Sequence, residues 1–143
     1  MIKHSDTRSQ PSVVSLFTGA GGLDIGLEMA GFHTVAAVDN EADCIATLAA
    51  TQKKRVRVPR GAGRYFLQGT NLIHGRVQDL TATDLRPTGA AESWSPDLLA
   101  GGPPCQPFSS AGKQKGFDDP RGRLFEDFVR LAEGLQPKIV LMV

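Results

Sequence analysis

Apolar residues in this chain fall into short continuous runs separated by amphipathic stretches of helical spacing. Val13 to Phe17, Thr34 to Val38, Asp97 to Ala100 and Ile139 to Val143 are runs of strand length bounded by glycine, proline or polar residues. After the first run, Leu23, Leu27 and Ala30 share one face of a helix over 23–30, and Gly31 stands where such a helix closes. After the second, Ile45, Leu48 and Ala49 form the apolar stripe of a helix from Glu41 to about Thr51. Asn71 to His74 is a further short strand, and Leu124, Phe128 and Leu131 mark a helix from Arg123 to about Gly134 that Pro137 stops. The stretch 52–69 reads as a long irregular loop, and the segment before Asp97 as a polar connection rich in Thr and Pro.

Strand and helix in alternation predict an α/β fold: a parallel sheet of about five strands with right-handed crossovers, the incomplete half of a doubly wound domain. Residues 1–12 are polar and read as a flexible tail, with neither a signal peptide nor a membrane anchor, and 13–143 as one folded unit. The fifth strand would leave an exposed apolar edge. Its five apolar residues therefore call for a covering segment: a second polypeptide, further chain, or a second copy.

Composition adds mainly exclusions. With 143 residues, 41% hydrophobic and 22% charged, the chain is an ordinary globular one, and no apolar run approaches the roughly 18 residues of a membrane span, so a cytoplasmic location is expected. Two cysteines, Cys44 and Cys105, cannot build a disulfide framework, and His4, His33 and His74 are too scattered to seed a zinc site, so no metal is expected. Cys44, on the second helix near Ile45, reads as a buried structural cysteine. A net charge of +1 conceals one asymmetry: from Cys44 to Gln78 no acidic residue occurs, while Lys53, Lys54, Arg55, Arg57, Arg60, Arg64 and Arg76 all do. That segment is either a phosphate-neutralising patch or a solvated loop.

The chemistry concentrates in two loops. Gly101-Gly102-Pro103-Pro104-Cys105-Gln106-Pro107 follows an apolar strand, and its prolines and glycines forbid helix interior and central strand alike, so Cys105 projects from a stiff loop as a candidate nucleophile. Phe17-Thr18-Gly19-Ala20-Gly21-Gly22 joins the first strand to the first helix, and Gly19, Gly21 and Gly22 permit close approach of backbone N–H groups to an anionic ligand. Asp24 stands where a dinucleotide fingerprint needs its third glycine, which disfavours a nicotinamide dehydrogenase. Asp39 ends the second strand, where a carboxylate accepts both hydroxyls of a ribose or, alternatively, caps the next helix.

These two loops, in this order and followed by Asp119-Pro120-Arg121-Gly122-Arg123-Leu124-Phe125, resemble the motifs of the DNA (cytosine-5)-methyltransferases over about Val13 to Val143. The resemblance implies a Rossmann-like S-adenosylmethionine-dependent fold. Cys105 would add to C6 of a cytosine flipped out of double-stranded DNA, and the methyl group would pass from S-adenosylmethionine to C5. It implies a cofactor site from Phe17, Gly19, Gly21, Gly22, Leu23, Asp39 as ribose ligand, Asn40 against adenine, Asp79 at the adenine amino group, Leu80, Pro103 and Leu124. Pro104, Gln106, Ser109 and Lys113 would contact the base and the DNA, and the polar stretch 109–116 would close over the flipped base. Family members carry Glu-Asn-Val after the fifth strand, then a target-recognition region, so the resemblance also implies a split or truncated component, inactive without the remainder. A transfer-RNA cytosine-5 methyltransferase on the same fold, and a noncatalytic fragment that binds cofactor or partner, are the alternatives.

Overall fold

The computed structural model describes residues 9–59, 61, 63–104 and 122–143. Five strands, β1 (Ser12–Leu16), β2 (His33–Asp39), β3 (Asn71–His74), β4 (Leu98–Gly101) and β5 (Ile139–Met142), form one all-parallel sheet in the order β3-β2-β1-β4-β5. The helices are α1 (Gly22–Met29), α2 (Ala42–Lys54), α3 (Ala82–Leu85) and α4 (Arg123–Leu135). With β1 central and successive strands running outward on either side of it, the chain reverses direction across the sheet between β1 and β4. Crevices at the carboxyl ends of strands form at such a reversal.

Alternate residues of the central strands face opposite layers. Val14, Leu16, Ala36, Val38 and Leu99 point to one side, where Leu85 of α3 and Phe128, Leu131 and Leu135 of α4 bury them. Val13, Leu98 and Ala100 point to the other and meet Leu23 and Leu27 of α1, while Ala37 meets Leu48 of α2 and Leu67. This two-sided burial is why the strands read as continuous apolar runs and not as alternating ones. Asp97 ties the amino ends of three strands together. Its carboxylate accepts the Ser12 N–H at 2.8 Å and pairs with Lys138, and these partners hold its pKa below the ordinary carboxylate value.

Three local expectations are corrected. α2 continues through Lys54, because the Gln52 side-chain amide donates to the carbonyls of Leu67 and Thr70 and anchors the last turn. Lys53 and Lys54 thus occupy a helix C-terminus, where cations are favoured. The polar connection before Asp97 contains a 3₁₀ turn, Val77–Asp79, and α3, which a reciprocal Thr81–Asp84 capping box starts. Four residues are too few for a periodic signal. Ala30 is exposed as the C-cap of α1 and leaves the apolar face to Leu23 and Leu27, while Gly31 follows with φ of 101°.

β5 pairs with β4 along one edge only, and Ile139 (61% exposed) and Val143 (69%) are among five consecutive apolar residues open to solvent. Between β5 and α4 runs an apolar groove lined by Phe128, Val129, Ala132, Pro137, Val140 and Met142. No helix among the described residues is long and apolar enough to cross a membrane.

Candidate active site

A tight turn follows β1, closed by the Gly21 N–H donating to the Thr18 carbonyl at 3.0 Å. Phe17 has φ of 54°, a left-handed conformation uncommon for a non-glycine residue, and Gly19 (φ 57°) and Gly21 (φ 86°) continue it. Gly21 is required twice over: beyond its φ, a Cβ there would lie 2.5 Å from Cδ2 of Leu48 on α2. Gly22 has no such need, since a Cβ would meet nothing within 4 Å and the residue begins α1.

Asp39, at the tip of β2, organises this turn. One carboxylate oxygen accepts the Gly19 N–H at 2.8 Å and the other the Glu41 N–H at 2.9 Å. The N-cap of α2 is Glu41, so Asp39 steadies the helix entry without being its cap. Each oxygen retains a lone pair, and an ionised carboxylate accepts up to about four hydrogen bonds.

A cleft of ≈ 120 Å³ opens at the carboxyl ends of the strands. Phe17, Asp39, Asn40, Pro104 and Leu124 line it, together with Arg76, Val77 and Gln78 of the 3₁₀ segment. Five segments distant in sequence converge here. The donor set fits a nucleoside: a carboxylate for a ribose diol, set among the apolar walls of Phe17, Val38, Val77 and Leu124 that suit a purine ring. The strand carrying Asp39 ends on one side of this cleft, and the β4 loop reaches Pro104 on the other, one residue before Cys105.

Other expected residues lie elsewhere. Leu23 packs beneath the sheet against the cluster of Val13, Leu98 and Ala100. Leu80 packs against the opposite core cluster, and Pro103 is buried outside the cleft lining. Asp79 is not among the residues lining the cleft: its exposed carboxylate stands 3.9 Å from Arg76, whereas its neighbour Gln78 is among them. A 3₁₀ turn advances about 120° per residue, so a one-residue difference in register changes which side chain points inward. Cys44 is half-exposed and not buried, and its thiol pKa is raised by desolvation and by the carboxylates of Asp39, Glu41 and Asp43. Cys105, Gln106, Ser109, Lys113, Asp119 and Arg121, like Arg60 of the basic segment, lie outside the described residues. Within that segment Arg55 and Arg57 place their guanidinium groups 4.6 and 5.5 Å from the Tyr65 ring, while Arg64 donates to the Phe32 carbonyl at 3.1 Å.

The periodicity reading misses the fully buried face of α1, which is acidic: Asp24 and Glu28. Asp24 accepts a hydrogen bond from the Thr18 hydroxyl. Glu28 accepts the Leu67 N–H at 3.0 Å and the Thr34 N–H at 3.3 Å. Burial pushes both carboxyls above their ordinary pKa; for Asp24 the hydroxyls of Thr18, Ser15 and Thr34 pull in the opposite direction. The folded state therefore holds the Asp24 proton to higher pH than the unfolded chain, whose carboxyl titrates at 3.8. Stability from that proton is complete below the unfolded value and declines as pH rises through the folded one. Asp24→Asn cannot lose it, so the variant is expected to gain melting temperature relative to the parent chain as pH is raised from about 4 toward neutrality. Thermal unfolding across that range checks this, and a difference independent of pH would contradict it.

Comparison with known proteins places the whole described architecture. The family model of C-5 cytosine-specific DNA methylases matches residues 12–142. The type II methyltransferase M.AquIA of Picosynechococcus is 38% identical over 93% of this chain and 48% of its own length, and M.NgoPII of Neisseria gonorrhoeae is 36% identical over 99% and 35%. M.HgiGI of Herpetosiphon aurantiacus is 38% identical over 90% of this chain and 86% of its own length. Among solved structures, an E. coli prophage protein described as a DNA modification methyltransferase superposes with a TM-score of 0.66 at 28% identity, over 92% of this chain and 31% of that one. The S. pombe Dnmt2 methyltransferase shares the fold, with a TM-score of 0.57 at 19% identity. The chain spans about half or less of the length of the first two of these relatives. Matched from its first strand to its last, it belongs to the C-5 cytosine-specific DNA methylase family.

Proposed function

We propose that this chain forms the cofactor-holding and nucleophile-bearing part of an enzyme that methylates C5 of cytosine in double-stranded DNA. The observation that carries the reading is the convergence of Phe17, Asp39, Asn40, Leu124 and Pro104 on one cleft in a chain of this family. S-adenosylmethionine, when bound, supplies an electrophilic methyl group on a sulfonium. Asp39 would hold its ribose hydroxyls, Phe17 and Leu124 would enclose its adenine, and the backbone of the glycine turn would meet its amino-acid end. Gln78 takes the place beside the adenine that Asp79 was expected to fill.

Cys105 follows Pro104 directly and would act on the base. Its thiolate would add to C6 and the ring electrons shift to C5; C5 would take the methyl group as the sulfonium S–CH3 bond breaks and leaves a neutral thioether, and transfer of the C5 proton to a base would expel the thiolate and restore the ring. The cytosine must leave the stack for this attack, and Gln106, Ser109 and Lys113 would contact it and its flanking phosphates. The relatives' greater length and the open apolar face of β5 support a further requirement. A segment carrying the rest of the sheet and the DNA-reading surface packs on β5, supplied by more chain or by a second polypeptide.

The test mixes the purified chain with the part of M.NgoPII that lies beyond the matched segment and follows transfer of labelled methyl to unmethylated duplex DNA, with transfer RNA as the second acceptor. Methylated duplex DNA supports the proposal. Label on transfer RNA alone would replace the substrate, and cofactor binding without transfer in any mixture would make the chain a noncatalytic fragment. Asp39→Ala is expected to weaken S-adenosylmethionine binding by about ten- to a hundredfold, the usual worth of hydrogen bonds to a charged group, as measured by calorimetry.

A further inference from the structure

α1 buries two carboxylates one turn apart, an expensive use of the face that packs on a sheet. Helix packing alone would be served better by apolar side chains, so each carboxylate must answer a local need. Glu28 meets one that is purely architectural, taking the backbone N–H groups of Leu67 and Thr34 at the end of the helix away from the cleft. Asp24, in the first turn, meets a different one.

We propose that Asp24 is a positioning residue for the cofactor turn, acting through Thr18. This rests on the reading of the cleft as a cofactor site. Every polar group of Thr18 is engaged: its N–H donates to the Val38 carbonyl at 3.0 Å, its carbonyl accepts the Gly21 N–H at 3.0 Å, and its hydroxyl donates to Asp24. The residue is buried. Thr18 lies between Phe17, whose φ of 54° an unconstrained phenylalanine rarely adopts, and Gly19, whose N–H holds Asp39. A backbone in that region persists only where its surroundings over-determine it.

The hydroxyl bond to Asp24 is the only one of the three that a side chain supplies, and it anchors the turn to α1. Without it, Phe17 can relax to negative φ, which swings its ring away from the cleft it lines and moves the Gly19 N–H off Asp39. The one motion would disturb both the apolar wall and the carboxylate. The same arrangement gives Asp24 a role at the position where a dinucleotide fingerprint would carry glycine: its side chain fills the space beneath the turn and braces it from below.

The test compares Asp24→Ala, Thr18→Val and their combination with Glu28→Ala, which removes an equally buried carboxylate from the same helix. Two quantities are read: the S-adenosylmethionine dissociation constant of the chain by calorimetry, and amide hydrogen exchange of residues 17–22 without ligand. Asp24→Ala and Thr18→Val should each weaken binding about tenfold, the combination no more than either, since they break one bond. Asp24→Asn, whose carbonyl still accepts from Thr18, should restore affinity. Glu28→Ala should lower the melting temperature but leave the dissociation constant within about twofold. Exchange at Gly19 should quicken in Asp24→Ala and not in Glu28→Ala. Equal effects of the two carboxylates on affinity and exchange would overturn the proposal, as would additive losses from Asp24 and Thr18. Were the parent chain not to bind S-adenosylmethionine, the cofactor reading would fall, and the exchange comparison would still decide whether Asp24 positions the turn. If Asp24→Ala does not fold, Thr18→Val carries both measurements.

Discussion

Cys105→Ala is expected to abolish methyl transfer by the reconstituted enzyme, by at least about three orders of magnitude, and to leave S-adenosylmethionine affinity unchanged. Cytosine C5 is a poor nucleophile while the ring is aromatic, and only addition of the thiolate at C6 makes it an enamine-like carbon able to attack a methyl group. Among the described residues no cysteine, serine or threonine lines the cleft, and desolvation and nearby carboxylates raise the thiol pKa of the half-exposed Cys44, the reverse of what activates a cysteine. Single-turnover assays beside calorimetry separate the two quantities. Residual turnover within tenfold of the parent would remove Cys105 from the chemistry, and a parallel loss of cofactor binding would mean that the substitution had disturbed the site itself.

Gly101→Ala should cost about 3 kcal/mol of stability, a drop in melting temperature of roughly 10 °C, and should open the cleft as it does so. Gly101 ends β4. A Cβ there would stand 2.5 Å from the Leu16 carbonyl oxygen and 3.0 Å from Cε2 of Phe128. The first neighbour is backbone of the adjacent strand, hydrogen-bonded into the sheet, and the second is a ring with no exposed surface, so neither can retreat cheaply. The strain must go into separating β4 from β1, the two strands whose carboxyl ends launch the Pro104 loop and the Phe17 turn. Thermal unfolding and cofactor affinity should therefore fall together. By contrast Gly22→Ala, one position into α1 with nothing nearby, should leave both within experimental error, and it serves as the control.

The alternating runs of 13–17, 34–38, 97–100 and 139–143 were sufficient to predict a parallel sheet, because strands buried on both faces must be apolar throughout and helices covering them must carry a stripe. The glycine turn and the placing of Asp39 were equally legible, since each depends on a local rule: conformational freedom at glycine and a carboxylate at a strand tip. Elements whose cause is not local were not. α3 rests on a capping box and a few contacts with α4, too short for a period to emerge. The last turn of α2 exists because Gln52 reaches carbonyls 15 and 18 residues away.

The site divides in the same way. Phe17, Asp39, Asn40, Pro104 and Leu124, singled out from the sequence, do line one cleft. Which of two neighbours on the 3₁₀ turn borders the cleft was decided only by the fold: Gln78 is among its lining residues and Asp79 is not. Asp24 and Glu28 show the limit most clearly. In the sequence they look like the solvated side of an amphipathic helix, because charge normally seeks water. In the folded chain their backbone and hydroxyl partners come from the Phe17 turn, β2 and the Leu67 loop, and no spacing along the chain encodes that these would meet under α1. Local patterns determined the elements and the reactive residue types; long-range packing alone decided which polar groups are buried and what each of them holds.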